Sequence, residues 1–481
     1  MSNNYFSFPL NKSQKIVFNS LREFTNQPNK KVFILKGYAG TGKTTIIAGL
    51  IKWLKSEKIN FSLLASTGRA AKILSDKSNV NASTVHRRIY VFNDLEDDIE
   101  EIEKTQNSLS VDDKGQLSLL FELVKVNNDF EKVYIIDESS MISDNDNQNS
   151  SFAKFGSGKL LSDLFEYDKK GKFIFVGDPL QLPPIGQKIS PALSKLYLET
   201  EFSFNVDEFE LKEIMRQDSN SGIIEASMNL RKLYSSKQFS KWSYFPIKGT
   251  NEIKLHNSHA DLINHYLQLL TKYGVENSSI LCTSNKQCAD LNKVVRLYLN
   301  RNENILNQND LLMVTQNNYL TGLVNGDLVR VLDIGSSEKR CGLTFRKVEV
   351  EELESKSKYN VNIIEDILTS NRTNLDNKEH KELFIDFFNR MKGSGIKQKD
   401  EKFKSEMLTD PYLNALKSVY GYALTCHKSQ GGEWDNIYLY LDNKIQGKPK
   451  PEVYQWMYTA VTRAKKKLHI VDDWFIKNIN V

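Results

Sequence analysis

The chain has 481 residues, 40% of them hydrophobic and 26% charged. At roughly 150 residues per domain this length suggests about three domains, with ample apolar content for packed cores. No apolar run approaches the roughly 20 residues of a membrane span, and the first nine residues lack the basic start and apolar stretch of a secretory leader. Cys282, Cys288, Cys341 and Cys426 form no C-x-x-C pair, which speaks against a cysteine zinc site or disulfide framework and for a reducing, cytoplasmic setting. A net charge of +5, from 65 basic and 60 acidic residues, permits nucleic-acid binding without requiring it.

The first predicted element is an amphipathic helix over residues 10–24. Gln14 near its start is either solvated or, from its distance to the next motif, an adenine contact through its carboxamide. A buried strand, residues 32–35, then runs into Gly37-Tyr38-Ala39-Gly40-Thr41-Gly42-Lys43-Thr44, which fits G-x-x-x-x-G-K-[ST]. A helix with an apolar face follows over residues 45–54. In that order, strand, loop and helix make a phosphate cradle of backbone N–H groups at the positive end of a helix. Lys43 reaches the β and γ phosphates and the Thr44 hydroxyl holds Mg²⁺. Gly40, Thr41, Gly42 and Thr45 complete the nucleotide site.

A second strand, residues 61–65, ends in Ser66-Thr67-Gly68-Arg69 before a helix. Its hydroxyl and N–H groups suit a phosphate backbone, or an ordinary helix cap. Ser83-Thr84-Val85-His86-Arg87-Arg88 is similarly polar but carries little meaning alone. Residues 89–130 change character, with an acidic run at 94–101, a turn signal at 112–115 and a strand-like stretch at 116–124; they read as a small β-rich insertion. The apolar strand that follows ends in Asp137-Glu138-Ser139-Ser140-Met141, which puts two carboxylates where α/β sheets bind ligands. Asp137 is expected to order Mg²⁺ and Glu138 to act as general base. Another strand, residues 172–176, closes in Gly177-Asp178-Pro179-Leu180-Gln181-Leu182-Pro183-Pro184, which places Gln181 toward the γ-phosphate.

These motifs together resemble the superfamily 1 helicases, in their RecD-like, 5′→3′ branch that includes the phage Dda-type enzymes. The Asp-Glu-x-Ser-Met and Gly-Asp-x-x-Gln-Leu-Pro-Pro forms are specific to that group. The second half carries the resemblance on. Leu211 to Gln217 is similar to the segment whose arginine, here Arg216, contacts the γ-phosphate from the second core; Met215 stands where some relatives have an adenine-stacking aromatic. Residues 280–296 resemble a strand and helix of the second core, and residues 322–331 the start of an SH3-like barrel. Tyr422 to Trp434 is similar to motif V, with Gly432 where many relatives carry Ser or Thr; Tyr458 to Lys465 is similar to motif VI, making Arg463 the arginine finger.

The resemblance implies an α/β fold of two RecA-like P-loop cores with parallel sheets, a small β-rich pin and an SH3-like barrel with a helical tower. It divides the chain into core 1A (1–88 and 128–200), pin 1B (89–127), core 2A (201–322 and 418–481) and insertion 2B (323–417). It assigns catalysis to Lys43, Glu138, Gln181, Arg216 and Arg463, and further nucleotide contacts to Gln14, Gly431 and Glu433. Single-stranded DNA is expected along Ser66, Thr67, Thr84, His86, Pro183, Asn285, Thr425 and His427. The implied cofactors are ATP and Mg²⁺. The implied partners are single-stranded and forked DNA, with single-strand-binding or replisome proteins beside them, and the enzyme acts as a monomer in a bacterial or phage-infected cytoplasm. Two other readings stay open from sequence: a translocase or remodeller with little unwinding, and a nucleotide-gated scaffold.

Overall fold

The computed structural model describes the chain except residues 1–4, 8, 96–118, 127–131, 147–152, 216–221, 302–304, 319, 371 and 480–481. Arg216, most of the acidic run and the turn at 112–115 therefore lie outside the described residues. Among the described residues no helix is long and apolar enough to cross a membrane.

The first core is a six-stranded sheet in the order Ala82–Thr84, Phe61–Ala65, Val133–Asp137, Lys172–Gly177, Val32–Gly37, Val206–Leu211. All its pairings are parallel. Strands buried on both faces should be apolar at every position rather than alternating, and Val32-Phe33-Ile34-Leu35 shows why. Val32 and Ile34 pack with the helix Leu160–Tyr167 on one face. Phe33 and Leu35 pack with the helices Lys12–Asn26 and Lys43–Ser56 on the other. Adjacent strands thereby deliver the phosphate loop, Asp137-Glu138 and the loop after Gly177 to one edge of the sheet.

Val206–Leu211 pairs with Val32–Gly37 along its whole length. The expectation that residues from 201 onward belong to the second core is corrected here: the first core runs at least to Leu211. The β-rich insertion is a three-stranded sheet of Tyr90–Leu95, Leu119–Leu123 and Ala153–Phe155. Its third strand comes from beyond residue 127 and pairs parallel to the second.

The second core is a five-stranded parallel sheet in the order Ile253–His256, Ala464–Val471, Trp434–Tyr440, Ser278–Cys282, Ala423–Thr425. Beside it lies a five-stranded antiparallel sheet. Its strands Leu311–Val314 and Ser418–Tyr420 fall outside the expected limits of 323–417, so the insertion is woven into the second core rather than appended to it. The helix Asn377–Gly393 packs Phe384, Phe387 and Phe388 against Phe403 and Met407 of the helix Glu401–Thr409.

The halves meet through apolar as well as polar contacts. Leu180 and Leu182 leave the first core to join the apolar interior of the second. On the other side, Gly68 of the helix Gly68–Ser78 faces the loop between the strands Leu311–Val314 and Leu328–Arg340 of the antiparallel sheet so closely that a Cβ there would lie 1.6 Å from Val324 Cγ2. Gly68→Ala should cost roughly 1–3 kcal/mol by overpacking, lowering the thermal midpoint, and Val324→Ala should restore it; a midpoint unchanged by Gly68→Ala would contradict this packing.

Candidate functional site: a nucleotide cleft between two cores

The phosphate loop has the backbone that its glycines permit. Gly40 and Gly42 take φ of 78° and 84°, left-handed values that favour glycine. Gly42 is the residue before the helix Lys43–Ser56. Lys43 Nζ donates to the carbonyls of Gly37 (2.6 Å) and Tyr38 (3.1 Å), folding its ammonium into the cradle. Thr44 and Thr45 are half-buried at the helix start, and Thr41 Oγ1 donates to Tyr38 O.

Asn11, Gln14 and Met215 pack beside the loop. Gln14 is 1% exposed. Its Oε1 accepts from Asn11 N and closes a capping box, while its Nε2 would lie 2.6 Å from a Cβ on Gly42. The carboxamide is thus oriented by the helix cap and pressed against the loop. Met215 N donates to Gly40 O (2.9 Å), and Asn11 Nδ2 lies 3.0 Å from Met215 Sδ. A flexible, polarisable thioether therefore sits where an aromatic was absent from the sequence. The segment before Arg216 belongs with the phosphate loop, on the first core.

Asp137 and Glu138 stand at the end of their strand. Glu138 adopts φ of 51°, strained for a residue with a side chain. Its carbonyl accepts from Ser66 Oγ (2.8 Å), and its N–H donates to Asp137 Oδ1 (2.9 Å). Burial, then the neighbouring Glu138 charge, push Asp137 up to about 6. Crowded carboxylates of this kind fit a divalent cation, and Thr44 and Asp137 are the residues that would hold Mg²⁺ there. Gln181 is buried, and its Oε1 has no hydrogen-bond partner among the described residues. Such an orphan acceptor fits a ligand proton from a water or phosphate.

The second core closes over this edge. Tyr458, in the helix Glu452–Val461, donates its hydroxyl to Asp178 Oδ2 (2.6 Å) and accepts from Ala39 N of the phosphate loop (3.2 Å). Leu182 N donates to Thr459 Oγ1 (3.0 Å), and Gln430 Nε2 donates to Leu182 O (3.1 Å). Burial raises the Asp178 carboxyl above its ordinary value while Lys43 opposes the shift. Neither Tyr458 nor Asp178 had been assigned a role from sequence. A tyrosine five residues before the arginine finger was the available signal.

Arg463 is buried, and its guanidinium is spent within its own core, donating to Thr459 O (3.1 Å), Gly432 O (3.3 Å) and Thr462 Oγ1 (3.2 Å). It stands just beyond the helix that carries Tyr458 and close enough to act on that hydroxyl. Glu433 lines a separate cavity with Arg69, Glu352, Glu354 and Lys465, none of which belongs to the phosphate loop.

The residues expected along DNA divide. Thr67 and Gly431, from different cores, meet: a Cβ on Gly431 would lie 3.1 Å from Thr67 Oγ1. Thr67 Oγ1 caps its helix by accepting from Ala70 N, and Thr84 Oγ1 caps the next by accepting from Arg87 N. Thr425 and His427 are half-buried beside this seam, with His427 held below its ordinary range by burial and then Lys448. Asn285 is exposed, whereas Pro183 is buried in the inter-core loop. His86 turns toward Tyr90 and Phe155, and burial pushes it down to about 4. A neutral imidazole can meet a phosphate by hydrogen bonding but not by charge. Gly432 also has a reason: a Cβ there would lie 2.3 Å from Arg69 Nη1. Arg69 occupies that space, stacking on Trp434 at 4.4 Å and pairing with Glu354 at 2.5 Å.

The chain is similar to several known proteins. Residues 9–241 match the family model described as an AAA domain, and residues 420–471 the UvrD-like helicase C-terminal domain. An uncharacterized protein of Acanthamoeba polyphaga mimivirus is 25% identical, covering 95% of this chain and 99% of the relative. The RecBCD enzyme subunit RecD of Buchnera aphidicola is 25% identical over 94% of this chain and 72% of its own. Among solved structures, Pif1 helicase from Bacteroides in complex with ADP-AlF3 and single-stranded DNA is 15% identical, covering 97% of this chain and 93% of that one at a TM-score of 0.47. Pif1 helicase from Candida albicans is 16% identical, covering 97% and 96% at 0.41. The two family models and the RecD relative support the resemblance to RecD-like helicases of superfamily 1.

Two substitutions check the cleft. Tyr458→Phe leaves Asp178 and Ala39 N without their shared partner and should destabilise the nucleotide-free protein by roughly 1–3 kcal/mol, seen as a lower urea midpoint; an unchanged midpoint would refute the tie. Met215→Ala should raise the KM for ATP roughly five-fold, about 1 kcal/mol, with kcat little changed, and an unaltered KM would remove Met215 from the base site.

Proposed function

We propose that this chain is an ATP-dependent DNA helicase that translocates 5′→3′ on single-stranded DNA and opens forked duplexes. The observation that carries the reading is the Tyr458 hydroxyl, bonded at once to the phosphate loop of one core and to Asp178 in the loop after Gly177. A triphosphate in that cleft would touch the seam through which the cores grip one another.

The chain's own groups supply the steps. Lys43 exchanges the Gly37 and Tyr38 carbonyls for the β and γ phosphates. Glu138 accepts a proton from the attacking water, and Gln181 orients that water through its unpaired oxygen. Arg463, with Arg216, brings positive charge to the transferring phosphoryl group. Thr44 and Asp137 would hold Mg²⁺, which would supply positive charge against the phosphates. Loss of the γ-phosphate removes a ligand for which the closed arrangement has the higher affinity, so the cores separate. DNA follows the line where Thr67 meets Gly431, with Thr425 and His427 on the second core. Alternating grip on the two sides of that line moves the strand, and the three-stranded insertion stands as the candidate wedge.

ATP hydrolysis should rise strongly on adding single-stranded DNA, and Lys43→Ala should abolish it. Unwinding should need a 5′ single-stranded tail. Hydrolysis indifferent to nucleic acid would favour a nucleotide-gated scaffold, and a strict requirement for a 3′ tail would reverse the polarity.

A further inference from the structure

Three of the seven histidines gather on the outer part of the second core, within the edge of its parallel sheet. His256 ends the edge strand Ile253–His256, His469 lies on the neighbouring strand Ala464–Val471, and His265 reaches in from the helix His259–Tyr273 that covers them. One ligand nitrogen from each falls within 4.8 Å of the others. His256 Nε2 and His469 Nδ1 are 3.1 Å apart. With Zn–N bonds of about 2.0–2.1 Å, two ligands on a tetrahedral ion stand about 3.3 Å apart, so this pair is close to ligand spacing. His265 is the partly exposed member, its ring packed 5.2 Å from that of His256 and 4.8 Å from that of His469.

The surroundings are those of a ligand set. Tyr438 OH lies 2.8 Å from His265 Nδ1, and Asp261 Oδ2 3.4 Å from His256 Nδ1. Each therefore has its second nitrogen oriented by an oxygen, which leaves Nε2 for a metal, the usual outer-sphere arrangement of metal-binding histidines. His469 is 3% exposed and stacks on Tyr438 at 4.2 Å, and its Nε2 has no partner among the described residues. A cluster meant only for packing would gather three imidazoles here at a polar cost. Apolar residues would fill the space without that cost.

We propose that His256, His265 and His469 bind one divalent transition-metal ion of the zinc type, with water in the fourth position, stapling the covering helix to the sheet edge. The site is separate from the nucleotide cleft and from any Mg²⁺ held by Asp137. Cysteine spacing could not reveal it, because its ligands are histidines and His469 lies more than 200 positions from the other two.

The test uses the full chain, freed of any affinity tag and stripped with a chelator, then titrated with Zn²⁺ against a chromophoric competitor and separately with Co²⁺. The expected result is one equivalent of either ion, intense visible Co²⁺ bands of a four-coordinate site, and a higher thermal midpoint with Zn²⁺. His265→Ala should lose the equivalent and the midpoint shift while keeping DNA-stimulated ATP hydrolysis. Asp261→Asn should weaken binding on the order of ten-fold, and His259→Ala, outside the cluster, should bind as the parent does. Failure of the parent chain to take up an equivalent, weak Co²⁺ bands of a six-coordinate ion, or full binding in both His265→Ala and His256→Ala would overturn the site.

Discussion

A single phenol hydroxyl sets the geometry of the cleft. Tyr458 is buried, so its oxygen must find partners, and both come from the opposite core: a backbone N–H of the phosphate loop and the Asp178 carboxylate. The hydrogen bonds between Leu182 and the pair Thr459 and Gln430 repeat the tie one step along the same loop. Because Leu180 and Leu182 are also buried in the apolar interior of the second core, the loop after Gly177 is a shared part of both halves. Gln181, proposed to orient the attacking water, therefore sits one residue from a group anchored in the other core.

A second seam joins the halves where DNA is proposed to run. Arg69 fills the space beside Gly432, stacks on Trp434 and pairs with Glu354. Lys72, one turn on, bridges Asp327 at 3.0 Å and Glu352 at 2.7 Å. Both carboxylates are nearly inaccessible, so removing the lysine would strand two buried charges. The helix Gly68–Ser78 is thus clamped to both the second core and the antiparallel sheet. Movement of Thr67 at its start must be felt by Gly431 across the seam.

Much of this was legible in the residues, for identifiable reasons. The phosphate loop and the apolar strands before Asp137 and Gly177 carry local signals, since backbone conformation and two-sided burial leave little choice of residue. Pairing between distant segments carries none. Val206–Leu211 looks like any strand, and only its register against Val32–Gly37 shows that the first core extends past residue 200. Ala153–Phe155 likewise joins the β-rich insertion from outside its expected span. Gly432 stood out only as a departure from relatives with Ser or Thr, because Arg69, which takes its space, is more than 300 positions away. His86 read as a phosphate ligand, yet its aromatic neighbour Phe155 comes from a strand that sequence could not place beside it. Tyr458 went unassigned because a hydroxyl that bridges two domains looks like any other tyrosine until both domains are folded.

The most direct test of the cleft is the distance between the cores. Nitroxide labels on cysteines introduced at the exposed Lys52 and Lys272, with the half-buried Cys341 replaced, report that distance by pulsed electron resonance. If the γ-phosphate works the seam, a non-hydrolysable ATP analogue and ADP, each with single-stranded DNA, should give different distance distributions, the ATP analogue favouring the narrower, closed one. Superimposable distributions in the two nucleotide states would contradict a motor driven by this cleft.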